Sequence, residues 1–440
     1  MPKQASARAV PGLSGERQSS MSQWHVVFVA VAALVAAAAA PAGYAPGGPA
    51  ASSRTQAPPP PFALFSSGDL NVTEYRIPVL VALRHGETLL AFAEARLPCV
   101  QSCGKSAFWG DSSPKHIAFR RSENAGVSWT PTQFIVKSDG TNDNLNLGNA
   151  VVDDRTNAVL LQWGGCVHCS CVGTEPKPAP GACVNKNAAG NVKQIRSTDS
   201  GKTWGPVEDI SSQVLDPTLS PIFKLGEGSG LQLKTGTLVV CGRISNLSPR
   251  GCHRTDSALA KAGGSGDSNC GSACILSEDG GVTWARGGGV PSTAEFGDNE
   301  CEPALLKNGS VLLNMRAGQA RLLARSDDGG KSFVDVHPAL DLSPVANCQG
   351  SMQPVTDGTL LFTAPAGSAA RRNLSLAVST NQGVSWGYVQ VVHDGPSAYS
   401  SLAPRTGAPG SGRCAALLFE GGADPEASTY QHIYFTNVCV

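Results

Sequence analysis

An eight-residue motif recurs five times along the 440-residue chain, and it limits the fold more than any other feature. Its clean copies are Ser197-Thr-Asp199-Ser-Gly201-Lys-Thr203-Trp204 and Ser277-Glu-Asp279-Gly-Gly281-Val-Thr283-Trp284. The copy at 326–333 ends in Phe333, and those at 122–129 and 379–386 carry Asn124 and Asn381 in the Asp place. The first serines are 75, 80, 49 and 53 residues apart. A short strand-like run precedes each copy, at 116–119, 192–195, 273–276, 321–324 and 374–378. Ser and Asp side chains accept hydrogen bonds from turn N–H groups. Gly takes a backbone conformation that other residues rarely adopt, and the terminal aromatic folds back as an anchor. One small sheet plus one such turn, repeated, is the signature of a β-propeller. A spacing near 50 suits a four-stranded blade, and the longer gaps hold a blade plus insertions. The motifs are therefore expected to be structural and to lie away from any site.

Composition narrows the function classes. The 34 basic and 34 acidic residues cancel, so no basic face for nucleic acid and no polybasic membrane patch is expected. A hydrophobic share of 41% supports a packed core. Residues 1–42 combine Lys3, Arg8 and Arg17, an apolar run at 26–40 and small residues after it, which reads as a signal peptide or an uncleaved signal anchor. A Pro/Ala/Gly-rich linker follows at 43–61, and the folded body is expected at 62–440. All 14 cysteines lie at or beyond Cys99. Entry to the secretory route makes disulfides the better reading. Cys166, Cys169, Cys171 and Cys183 with His168 lack the second ligand pair of a zinc site, so no metal is expected. Sequons begin at Asn71, Asn246, Asn308 and Asn373.

The motifs, together with Tyr75-Arg76-Ile77-Pro78, resemble the sialidase (exo-α-neuraminidase) family, and the likeness is greatest to the lysosomal branch in animals. Residues 89–96, 299–303, 311–316 and 395–402 support the likeness in the same order along the chain. The resemblance covers about 70–440 and implies an all-β, six-bladed β-propeller that removes terminal sialic acids. It implies no cofactor. Its substrate carries a carboxylate, which a planar guanidinium fork holds better than a lysine. Arg76, Arg316 and Arg371 match the family's three arginines, with Arg372 the alternative to the last. Tyr399 matches the nucleophile, because sialidases use a tyrosine where other glycosidases use a carboxylate. A phenol needs a base within reach. Glu300 resembles that base, with Glu302 a competitor if both share one strand face. Asp111 matches the acid that protonates the leaving oxygen. Arg96 and Glu94 resemble residues lining the site, and Glu420 resembles the carboxylate that orients the first arginine.

Two other readings use the same scaffold: a trans-sialidase, and a propeller that binds sialoglycans without cleaving them. The second would be expected to lack Tyr399, Glu300 or Asp111, and all three are present. The resemblance implies a secretory destination, foremost the lysosome, and as partners sialylated glycoconjugates, a homo-oligomer or a carboxypeptidase-like protein.

Overall fold

The computed structural model describes residues 60–83, 86–97, 114–138, 143–166, 191–215, 222–245, 271–291, 300–367, 370–405 and 413–440. These lie in one unit, Gln56–Val440. Residues 1–42, read above as a signal peptide or anchor, most of the expected linker, Asp111 and all but one residue of the 166–183 cysteine-rich stretch lie outside the described residues.

The described residues form five sheets. The first holds strands Glu74–Leu83, Thr88–Arg96, Lys115–Ser122 and Gln133–Val136. The second runs from Asp143–Asp153 through Ala158–Cys166 and Asn191–Ser197 to Glu208–Asp209, and Gly228–Ser229 joins it in parallel. The third holds Ile222–Leu225, Leu238–Ser245, Gly271–Ser277 and Ala285–Pro291, with Leu231–Gln232 also paired to Leu238–Ser245; the fourth holds Cys301–Leu305, Val311–Ala317, Ala320–Ser326 and Val334–Pro338. The last is seven-stranded, and its long strand Gly387–Pro404 pairs first with Arg372–Ser379 and then with Cys414–Gly421. Phe62–Ser66 pairs with His432–Cys439, so the first described strand completes the last sheet.

Strands buried on both faces must bury them against neighbours. Six hydrophobic clusters do this. Four join each sheet to the next, one joins the first sheet to the last, and one lies between the two halves of the seven-stranded sheet.

The octapeptide turns account for part of this packing. In the copy at 197–204, Ser197 Oγ accepts from Gly201 N at 2.8 Å, and Asp199 Oδ1 accepts from Lys202 N and Thr203 N at 3.0 and 2.9 Å. Asn124 and Asn381 do the same work as acceptors, at 2.8 and 3.0 Å from Ser128 N and Ser385 N. The motif glycine always has φ between 81° and 91°. There is a second reason for glycine. A Cβ at Gly201 would meet Leu90, at Gly281 Leu160, at Gly330 Leu276, at Gly383 Leu312 and at Gly126 Phe435. Each turn therefore packs on the preceding sheet, and the first packs on the last. Gly201→Ala places a methyl 2.8 Å from both Leu90 methyls at a φ of +81°. Chemical denaturation is expected to show about 1–3 kcal/mol lost, and an unchanged midpoint would contradict this packing account.

Cys241–Cys274 and Cys414–Cys439 are disulfides, each between directly opposed residues of neighbouring strands. Cys348 is a buried free thiol.

Candidate active site

Two slips in strand register place the central groups. The first lies between Arg76 and Val79, where Pro78 has no N–H for the ladder. Ile77 is left with a φ of 56°, rare for a β-branched residue. The second lies between Ser397 and Ser400 and turns Tyr399 out of the ladder. Each slip strands a backbone N–H. Ile77 N donates to Glu420 Oε1 at 2.8 Å, and Tyr399 N donates to Glu420 Oε2 at 3.1 Å. Arg76 Nε donates to the same Oε1 at 2.7 Å. Glu420, fully buried, thus fixes both the arginine and the tyrosine.

The Tyr399 hydroxyl donates to Glu300 Oε1 and accepts from Arg316 Nη1 at 3.0 Å. Arg316 Nη1 also donates to Glu300 Oε2 at 2.6 Å. The guanidinium carbons of Arg76 and Arg371 lie 5.3 and 5.5 Å from the Tyr399 ring centre. Three arginines therefore surround one phenol. Burial, then the carboxylates of Glu300 and Glu227, push the Tyr399 phenol well above its ordinary pKa, and Arg316 opposes them. The raised phenol keeps its proton, which it directs in a hydrogen bond to the Glu300 side chain.

Arg371 enters this group, while neighbouring Arg372 is exposed on the edge of its strand. Arg96 is held by Glu94 at 3.0 Å and Glu74 at 3.3 Å. Glu94 also accepts from Leu147 N at 3.0 Å, which ties the first sheet to the second. The motifs sit at the far ends of the sheets: Ser326 pairs with Val311, five residues along the strand from Arg316.

A family model of the BNR repeat-like domain matches residues 111–409. The chain is 27% identical to mouse Sialidase-4 over 285 residues, covering 63% of this chain and 53% of that protein. It is 27% identical to mouse Sialidase-2 over 400 residues, covering 84% of this chain and 93% of that protein. The chain belongs to the sialidase family. Among solved structures, a Hadza microbial sialidase, Hz136, is similar with a TM-score of 0.65 at 21% identity, over 86% of this chain and 68% of its own.

The candidate site has groups that motif reading missed. Glu227 follows a short strand and sits near Glu300 and Arg316; burial and then the Glu300 charge raise its carboxyl well above the ordinary value. Gln349 donates to the Glu227 carbonyl at 3.2 Å and accepts from Ser400 N at 3.0 Å. The Asn347 side chain accepts from Arg316 Nε at 2.8 Å. Its carbonyl accepts from Arg316 Nη2 at 2.9 Å and from Arg371 Nη2 at 3.1 Å.

Glu302 and Glu300 have different partners. Glu300 precedes the strand Cys301–Leu305 and meets Tyr399. The Glu302 carboxylate instead accepts from Ser229 N at 3.0 Å and Met352 N at 2.7 Å, bracing three sheets. Burial pushes it up to about 7 from 4.5 despite these hydrogen bonds. A carboxyl raised in the fold keeps a proton that the unfolded chain releases. Its contribution is full below about pH 4.5 and is lost as pH rises through about 7. Glu227 acts with the same sign. The melting temperature is expected to be higher at pH 5 than at pH 7.5, with Glu302 supplying at most about 3 kcal/mol. Calorimetry showing equal or greater stability at pH 7.5 would refute this.

Proposed function

We propose that the chain is a retaining exo-α-sialidase on a six-bladed β-propeller, hydrolysing terminal sialic acids from glycoconjugates. One observation carries the reading: the Tyr399 hydroxyl is held between Glu300 and Arg316, with Arg76 and Arg371 beside its ring. Six blades follow if the two halves of the seven-stranded sheet count separately, which the cluster between them supports.

A substrate whose anomeric carbon bears a carboxylate repels an anionic nucleophile, and a neutral phenol avoids this. Glu300 takes the Tyr399 proton as the phenol oxygen attacks the anomeric carbon. Asp111 gives its proton to the departing oxygen. Water then attacks the sialyl-tyrosine bond with Asp111 as base, and Tyr399 recovers its proton from Glu300. Arg76, Arg316 and Arg371 hold the carboxylate through both steps, and preorganised cations of this kind are a large part of catalysis in dry sites. Arg96 and Glu94 are assigned to the wall of the site. The two disulfides support a secretory route, with the lysosome the favoured destination.

The test is release of sialic acid from a fluorogenic sialoside between pH 4 and 8, with the first-formed anomer read by proton NMR. The α anomer is expected. No release would sink the hydrolase reading, a β anomer would sink retention, and transfer to added lactose exceeding hydrolysis would favour a trans-sialidase.

A further inference from the structure

Three guanidinium groups around one phenol repel each other, and a carboxylate receptor needs them convergent. Arg76 is anchored by Glu420 and Arg316 by Glu300. Arg371 has no carboxylate partner among the described residues; it donates to Tyr430 Oη at 2.8 Å and to the Asn347 carbonyl at 3.1 Å. The ring of Tyr430 also lies against Arg76, whose guanidinium carbon is 3.9 Å from the ring centre. One side chain therefore touches two of the three arginines by different means: a hydroxyl acceptor for one and a π-face for the other.

We propose that Tyr430 is a positioning residue that makes Arg76 and Arg371 into one carboxylate receptor, and so sets the preference for acidic over neutral sugars. The inference rests on the sialidase reading and adds to it the group that decides how strictly the carboxylate is required. A neutral partner suits this task. An acidic residue on Arg371 would fix it equally well but would cancel the charge that the substrate carboxylate must meet. A phenol hydroxyl orients the fork and leaves that charge intact. The ring face attracts the Arg76 cation without occupying its N–H groups. Glu420 engages Arg76 through Nε only.

Tyr430 is itself held firmly. It stands in the connection between strands Cys414–Gly421 and His432–Cys439. Its carbonyl accepts from Ser67 Oγ at 2.8 Å, just beyond strand Phe62–Ser66, and its N–H donates to Ser428 Oγ at 3.2 Å. The ring packs against the cluster that includes Ile77, Ala398 and Tyr399.

Two variants separate the contacts. Tyr430→Phe keeps the ring under Arg76 and removes the acceptor from Arg371. Tyr430→Leu removes both. The probes are N-acetylneuraminic acid and its uncharged methyl ester, with binding measured by calorimetry and KM and kcat measured on a fluorogenic sialoside. Affinity for the acid and 1/KM are expected to fall about tenfold in Tyr430→Phe and about a hundredfold in Tyr430→Leu, with kcat within about threefold. Ester binding should stay at the wild-type level, so the acid-to-ester ratio collapses. Unchanged acid affinity in both variants, or equal losses for acid and ester, would overturn the inference. Tyr430→Phe, which removes one hydroxyl, guards against a folding defect in Tyr430→Leu. Calorimetry reads the ratio without turnover, so a wild type that fails to cleave sialosides rejects the hydrolase reading separately.

Discussion

Tyr399→Phe is expected to lower kcat on a fluorogenic sialoside by on the order of 10³-fold or more, the usual scale for loss of a nucleophile. The substitution removes the one atom proposed to bond the anomeric carbon. It leaves the ring between Arg76 and Arg371 and leaves Glu300 paired with Arg316 at 2.6 Å. KM should therefore move little, because the carboxylate receptor survives. The fold should also survive, since the Tyr399 backbone N–H still reaches Glu420. Loss of kcat with KM and melting temperature retained would separate a chemical role from a structural one. Full activity in Tyr399→Phe would remove the tyrosine from the mechanism. Trapping gives an independent check: a sialosyl fluoride slowed by fluorine at C3 should leave one sialosyl unit on the peptide holding Tyr399.

The parts of the molecule legible in the sequence are those set by local chemistry or by a matched motif. The octapeptides were readable because Ser, Asp and Gly act within a single turn, as in the bonds from Gly201 and Thr203 to Ser197 and Asp199. Arg76, Arg316 and Tyr399 were readable by resemblance, and the structure brings them into contact or near contact. Period-two reasoning kept Glu302 beside Glu300 as an alternative. Strand alternation puts residues two apart on one face, but Glu300 lies before its strand begins, and its carbonyl accepts from Arg316 N at 2.9 Å. Tyr430, Asn347, Gln349 and Glu227 were not legible. They stand on connections or strand ends, carry no motif, and meet long-range partners from 24 to 363 residues away. Only the closed arrangement of sheets decides those meetings. The glycines show the same limit. Their φ followed from the motif, but the contact of each with the preceding sheet did not.

Glu420→Ala is expected to damage stability and catalysis together. Three donors converge on this carboxylate: Arg76 Nε, Ile77 N and Tyr399 N. Arg76 is only 6% exposed, so removing its partner leaves a buried, uncompensated cation. Breaking a buried pair in this way typically costs about 3–5 kcal/mol. Two backbone N–H groups lose their acceptor as well, and Ile77 loses what holds its left-handed φ of 56°. The melting temperature is expected to fall by about 5–10 °C on these figures. Catalysis suffers by a separate route, because Glu420 ties Arg76 to Tyr399, the proposed nucleophile, and its loss lets both drift from the anomeric carbon. A misplacement near 1 Å costs about a hundredfold. Glu420→Gln distinguishes the two effects. It keeps the volume and one acceptor oxygen, but its amide must face either Tyr399 N or the pair Arg76 Nε and Ile77 N, donor against donor. It should recover part of the stability and little of kcat/KM. Wild-type melting and turnover in Glu420→Ala would mean that the two register slips are held by their own strands and that the carboxylate is incidental to both.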